Sequence, residues 1–205
     1  MKSLARLFSI LLHPFLIPTY GALIAMGTSY MVLLGRGALW FVTGCMFLFT
    51  CLFPLMALFL LYRWRLVGDM DVVNRKERLL PYLFTLICYV GCIFFFVRWH
   101  LPAWLPGFLE GAVIAMLCSI VINRWWKISA HMASIGGLTA MVWVMCLSNL
   151  MLPEWQMPVF LTVVLSSGIL GSSRIILGRH TIGQVLAGFA NGFFWVACSS
   201  FVFMF

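Results

Sequence analysis

The sequence predicts an all-α integral membrane protein: a polytopic helix bundle of about six to seven transmembrane helices, built by residues 1–205 as a single membrane-embedded domain. Three observations carry this. First, 64% of the 205 residues are hydrophobic and only 9% are charged, with a mean hydropathy of +1.08. Second, apolar runs of membrane-spanning length follow one another with no hydrophilic linker, low-complexity segment or internal repeat between them. Third, the polar residues collect in short stretches between these runs. A bilayer core takes about 20 apolar residues per helix, and in lipid the backbone must satisfy its own hydrogen bonds, which favours helices.

The runs are readable in order. Residues 2–34 form a first segment interrupted by His13-Pro14 and by Pro18. Lys2 and Arg6 suit an interfacial start, and the prolines imply a kink or break. The segment lacks a small-residue cleavage site and continues into more apolar sequence, so it reads as retained. Residues 38–62 form a second span. The most polar stretch follows, YRWRLVGDMDVVNRKERLLPY, with Asp69, Asp71 and Glu77 among the chain's five carboxylates. Residues 80–98 form a third span, with Pro81 in its first turn, where proline is tolerated. Residues 106–122 form a fourth. Trp125 and Trp126 read as an interfacial belt before a fifth span at 129–150. A sixth covers 157–177 and a seventh 180–203.

Charge sets the expected orientation. The net charge is +8. Its cations are divided among short loops, which excludes a nucleic-acid surface and fits membrane topology signals and anion binding. With seven spans, 11 of the 13 Lys and Arg residues fall on one face, against Arg36 and Arg98 on the other. Setting aside the site candidates Arg75, Lys76, Arg78, Lys127 and Arg174 leaves six against two. This bias predicts that the cation-rich face is cytoplasmic, in the cell's inner (plasma) membrane. The seven cysteines all lie inside apolar runs and read as small buried hydrophobes.

Candidate site residues concentrate on that same face. In SSRIILGRHTIGQ, Gly178 reads as a helix stop and His180 as the opening residue of the next helix. Gln184, four residues on, would share its face and accept from one ring N–H, leaving the other nitrogen free to attack. Arg174 would hold the oxyanion under attack. Between the fourth and fifth spans, Ser129 and the backbone amides at a helix start suit phosphate oxygens, and His131 suits protonation of a leaving alkoxide. Arg75, Arg78, Lys76 and Lys127 are further phosphate-binding candidates. Against each stands a plainer role: a buried histidine bonding a neighbouring helix, or an ordinary cytoplasmic basic loop. His13, alone beside a proline, faces the site or serves the fold. Asp69 and Asp71 admit a weak magnesium reading. The three polar stretches are separated by two spans each, so all reach one face.

The stretch 173–184 resembles the third signature of the type-2 phosphatidic acid phosphatase superfamily, S-R-x5-H-x3-D. Ser173, Arg174 and His180 match it, and Gln184 replaces the final aspartate. Ile128-Ser129-Ala130-His131 resembles the second signature, P-S-G-H, at its serine and histidine. The first, K-x6-R-P, is matched poorly: Arg75, Lys76 and Arg78 precede Pro81, and Asp71 stands where the lysine belongs. The family's usual six-helix core has its first two signatures closer together. The resemblance implies a metal- and cofactor-independent phosphatase acting on a lipid phosphomonoester or pyrophosphate, with His180 as nucleophile, His131 as acid and Ser173 among the phosphate ligands. Its partners would be the lipid substrate and the bilayer, with no nucleic acid and an oligomeric state left open. Gln184 motivates an alternative, a catalytically weak relative that binds or transports an anionic lipid. A solute transporter has little support, because the ionisable residues lie at span ends.

Overall fold

A computed structural model describes the chain except Asp71, Val73 and Phe205, and the side chain of Met204. Asp71, one half of the magnesium reading, therefore lies outside the described residues. Six helical segments are long and apolar enough to cross a membrane, and no strand occurs among the described residues. The α-helices are α1 (Lys2–Leu11), α2 (Ile17–Thr28), α3 (Gly35–Phe47), α4 (Phe53–Arg63), α5 (Leu79–Arg98), α6 (Trp104–Ile122), α7 (Ala130–Leu147), α8 (Pro153–Ile176) and α9 (Ile182–Met204). A 3₁₀ turn at Tyr30–Leu34 and a π turn at Leu48–Leu52 join α3 and α4 into one crossing, Tyr30–Arg63. The π turn sits just before Pro54, where a missing N–H already interrupts the ladder.

The first segment breaks where its prolines fall. Its α2 has only 12 residues, about 18 Å, short of a 30 Å hydrocarbon core. The stretch from His13 to Thr28 nevertheless follows α7 from one end to the other. At one end the His13 ring lies 5.2 Å from that of His131, at the start of α7. At the other, the Leu152 N–H donates to the Thr28 carbonyl at 2.9 Å, beyond the end of α7. Of the seven crossings expected, six are long enough to span a membrane, and the first segment instead forms this short helix. Its polar start, α1, packs against α8 through a narrow stripe of Ala5 and Ser9, with its leucines exposed.

Helix α7 is the most enclosed, and α9 meets it backbone to backbone. A Cβ on Gly188 would lie 2.6 Å from the Ser129 carbonyl oxygen, and Cβ atoms on Gly192 and Gly136 would overlap the Ala133 and Phe189 carbonyls. Gly188 and Gly192 are four apart on one face, the small-residue spacing that lets membrane helices close to van der Waals contact. On the other flank of α9, the Asn191 side-chain amide donates to the Ala115 carbonyl at 2.9 Å and to Ser119 Oγ at 3.1 Å, tying α9 to α6. Together these contacts fix the start of α9 beside the start of α7.

Gly192→Ala is therefore expected to lower the thermal midpoint of the purified protein markedly, since overpacking costs about 1–3 kcal/mol or more. Gly168→Ala on α8, where no atom lies within 4 Å of the new methyl, is expected to leave it unchanged or raise it. Equal effects of the two in a detergent melting assay would contradict the packing described.

Candidate functional site

His180 is positioned by the turn between α8 and α9. The chain leaves α8 through Gly178 at φ +65°, a left-handed conformation that glycine adopts without steric cost. Thr181 then caps α9: Gln184 N–H donates to Thr181 Oγ1 at 3.4 Å, and Thr181 N–H donates to Gln184 Oε1 at 3.2 Å. This is a reciprocal capping box. It corrects one expectation, because His180 precedes the cap and does not open the helix. Gln184 reaches it by folding back over the helix end, with Oε1 3.1 Å from His180 Nδ1. The capping bond also settles the amide's orientation. Thr181 N–H can only donate, so the atom facing it is the oxygen. His180 Nδ1 then carries the hydrogen, and Nε2 keeps its lone pair.

His180 lines a cavity of about 190 Å³ together with His131, His13, Arg78 and Arg174. Arg78 is 9% exposed; its Nε donates to the Val72 carbonyl and its Nη1 to the Ile128 carbonyl, both at 3.0 Å. Arg174 Nη1 donates to Ser9 Oγ at 2.6 Å. His131 Nε2 lies 3.3 Å from the Ser9 carbonyl oxygen, an acceptor only, which assigns the hydrogen to that nitrogen. Ser9, from α1, thus contacts both Arg174 and His131. Nothing in the sequence singled it out; the available signal was the pairing of small residues at 5 and 9, about one turn apart on α1. His13, weighed between site and scaffold, is at the cavity wall.

The other candidates divide. Ser129 is fully buried and caps α7, accepting from Met132 N–H at 3.4 Å; it does not line the cavity. Ser173 is buried and donates to the Ile169 carbonyl one turn back in α8, also away from the wall. Arg75 and Lys76 are exposed and border a separate recess with Arg124, whose carbonyl accepts from Arg75 Nη1 at 3.2 Å. Their 3₁₀ turn, Arg75–Glu77, directs them outward, whereas Arg78 at the start of α5 turns inward. Lys127 is half-buried behind the wall. Burial, then Arg78, Arg174 and Arg179, push its ammonium below the ordinary lysine value.

The same cations act on the histidine. Burial first, then Arg78, Arg174 and Lys127, hold the His180 imidazole down at about 3, against the opposing hydrogen bond from Gln184. The ring is neutral at physiological pH, so its lone pair is available. The cavity end therefore pairs a neutral imidazole with a buried guanidinium, Arg78, and a half-buried one, Arg174, a set able to hold an oxyanion and attack its central atom. Among the described residues, no group of three His, Cys, Asp or Glu side chains is placed to hold a metal ion. No protein family, no curated protein and no solved structure matches this chain.

Replacing Lys127 by Met is expected to raise the His180 pKa from about 3, and inorganic phosphate is expected to do the same by offsetting the guanidiniums. Imidazole NMR across a pH titration reads both shifts. The folded value lies below the ordinary 6.5, so the unfolded chain binds the extra proton. This group's contribution to stability is thus present above about pH 6.5 and lost as the pH falls toward 3.

Proposed function

We propose that this chain is an integral membrane lipid-phosphate phosphatase of the type-2 phosphatidic acid phosphatase kind, working through a phosphohistidine on a phosphomonoester or pyrophosphate in phospholipid synthesis. The observation that carries this reading is His180: one ring nitrogen held by a capped glutamine oxygen, the other free, in a cavity shared with Arg78, Arg174 and His131.

In this mechanism Arg78 and Arg174 bind the equatorial phosphoryl oxygens and stabilise the charge that develops there. The His180 Nε2 lone pair attacks phosphorus; the N–P bond forms as the bond from phosphorus to the lipid oxygen breaks. That oxygen takes the Nε2 proton of protonated His131, replacing the Ser9 carbonyl as its partner. A water deprotonated by His131 then attacks phosphorus, and the N–P bond breaks with its electron pair returning to His180. Gln184 keeps the tautomer correct but cannot neutralise a positive ring as aspartate would. The bound phosphate's own charge supplies that compensation. The uncharged partner also favours the second reading, a binder or transporter of anionic lipids on the same scaffold. The cation bias of the helix ends supports a cytoplasmic site.

Two measurements test this. Purified protein is expected to release phosphate from a lipid-phosphate panel, to be inhibited by vanadate and to be indifferent to EDTA. His180→Ala and Arg174→Ala are expected to lose activity by about 100-fold or more, and Gln184→Ala by roughly 10-fold. An inactive wild type with activity appearing in Gln184→Asp would instead establish the binder. For orientation, single cysteines at Arg65 and Arg179 in a cysteine-free background are expected to resist an impermeant thiol reagent in intact cells, while one at Arg98 labels. The reverse pattern would place the site outside and shift the substrate toward a polyprenyl pyrophosphate.

A further inference from the structure

The cavity does not end at the histidines. It continues from Arg78, Arg174, His131 and His180 into the bundle, where α2, α5, α6 and α7 each contribute residues at successive depths. Along α5 the wall runs from Arg78 to Tyr89, and along α7 from His131 to Met141. Helix α6 enters from the opposite end, so its early residues Phe108 and Leu109 also lie deep, as does Val196 late in α9. Ten residues of α7 at 1.5 Å each give a depth of about 15 Å. Three of the hydroxyls along the way are satisfied within their own helices: Thr85 donates to the Pro81 carbonyl at 2.7 Å, Ser119 to Ala115 at 2.8 Å and Ser134 to His131 at 3.1 Å. Below the cationic mouth the wall is thus mostly apolar, with the tyrosines Tyr82 and Tyr89 carrying its other hydroxyls.

We infer that this slot is the receptor for one hydrocarbon chain of the phosphate-bearing substrate, held inside the bundle, and that its floor at Leu109, Tyr89 and Met141 limits the chain length. The inference rests on the phosphate-binding reading of the cavity mouth and deepens it to a substrate class: a single-chain lipid or isoprenoid phosphate. Two features select that occupant. The mouth carries a buried guanidinium, Arg78, and a half-buried one, Arg174, and the shaft is mostly apolar, which complements a phosphate on a hydrocarbon tail. The volume, about 190 Å³, is below the roughly 300–1,000 Å³ of ordinary ligand pockets, which suits one narrow chain better than two. A depth of about 15 Å takes an extended chain of roughly a dozen carbons.

The test uses the full chain in amphipol and n-alkyl phosphonates of about four to sixteen carbons, titrated calorimetrically, with n-alkanols of equal length giving the baseline for general partitioning. Affinity is expected to rise about fourfold per methylene until roughly twelve carbons and then level off. Leu109→Ala, which opens the floor, is expected to move this break to longer chains, and Ala112→Leu, one turn nearer the mouth, to shorter ones. Affinity that ignores length, that merely parallels the alkanols, or whose break neither variant moves would overturn the slot. Tighter binding of a two-chain phosphatidate than of its single-chain counterpart would do the same. Phosphate release from matching alkyl phosphates is read in the same samples. A break without release fails the phosphatase reading alone, and release without a break fails the slot alone.

Discussion

The close crossing of α7 and α9 is the contact on which the site depends. The bare backbone of Gly188 and Gly192 lies against the carbonyls of Ser129 and Ala133, at the start of α7. His131 is in the first turn of α7, and His180 lies two residues before α9 begins. A side chain larger than hydrogen at these glycines forces the helices apart and separates the two imidazoles with them. Lipid offers no hydrophobic drive for helix association, so packing at this distance, together with the Asn191 bonds to α6, provides the cohesion.

A second constraint is the burial of positive charge. Arg78 is almost wholly enclosed, and it donates to two backbone carbonyls. Desolvating a guanidinium is costly unless its donors are satisfied, and neutral acceptors satisfy the donors without matching the charge. Asp69 offsets part of that charge, and an anion at the cavity mouth would offset more. The same field keeps His180 neutral, so a feature that would attract an oxyanion also preserves the ring's lone pair. Gln184 serves both the helix end and the histidine, and this double use explains why an amide suffices to set the tautomer.

The N-terminal segment joins these two themes. Its prolines shorten the first crossing to α2, and the turn before it brings His13 and Ser9 to the mouth. A continuous first helix would carry these residues past the site. The break is therefore part of how the cavity acquires its wall, and α2 continues downward to line the shaft through Ile17 and Gly21.

How much of this was legible follows from what each signal measures. Hydropathy and run length are local, and they determined the all-α membrane class, the spans and, by counting crossings, the shared end of the three polar stretches. The glycine at 178 was readable as a helix stop because left-handed backbone is a local property. Which cations face inward was not local. Arg75, Lys76 and Arg78 are near neighbours in sequence, and a short 3₁₀ turn sends two outward and one into the bundle. Ser129 and Ser173 sit in matched motifs, yet their hydroxyls are taken by a cap and a helix carbonyl. Ser9 and Arg174 are 165 residues apart, and the apolar shaft is assembled from six helices. Sequence alone determined the fold class and the end of the bundle where chemistry collects. Tertiary packing decided which side chains meet there, because side-chain direction depends on how helices rotate against each other, and glycine contacts between distant segments set that rotation.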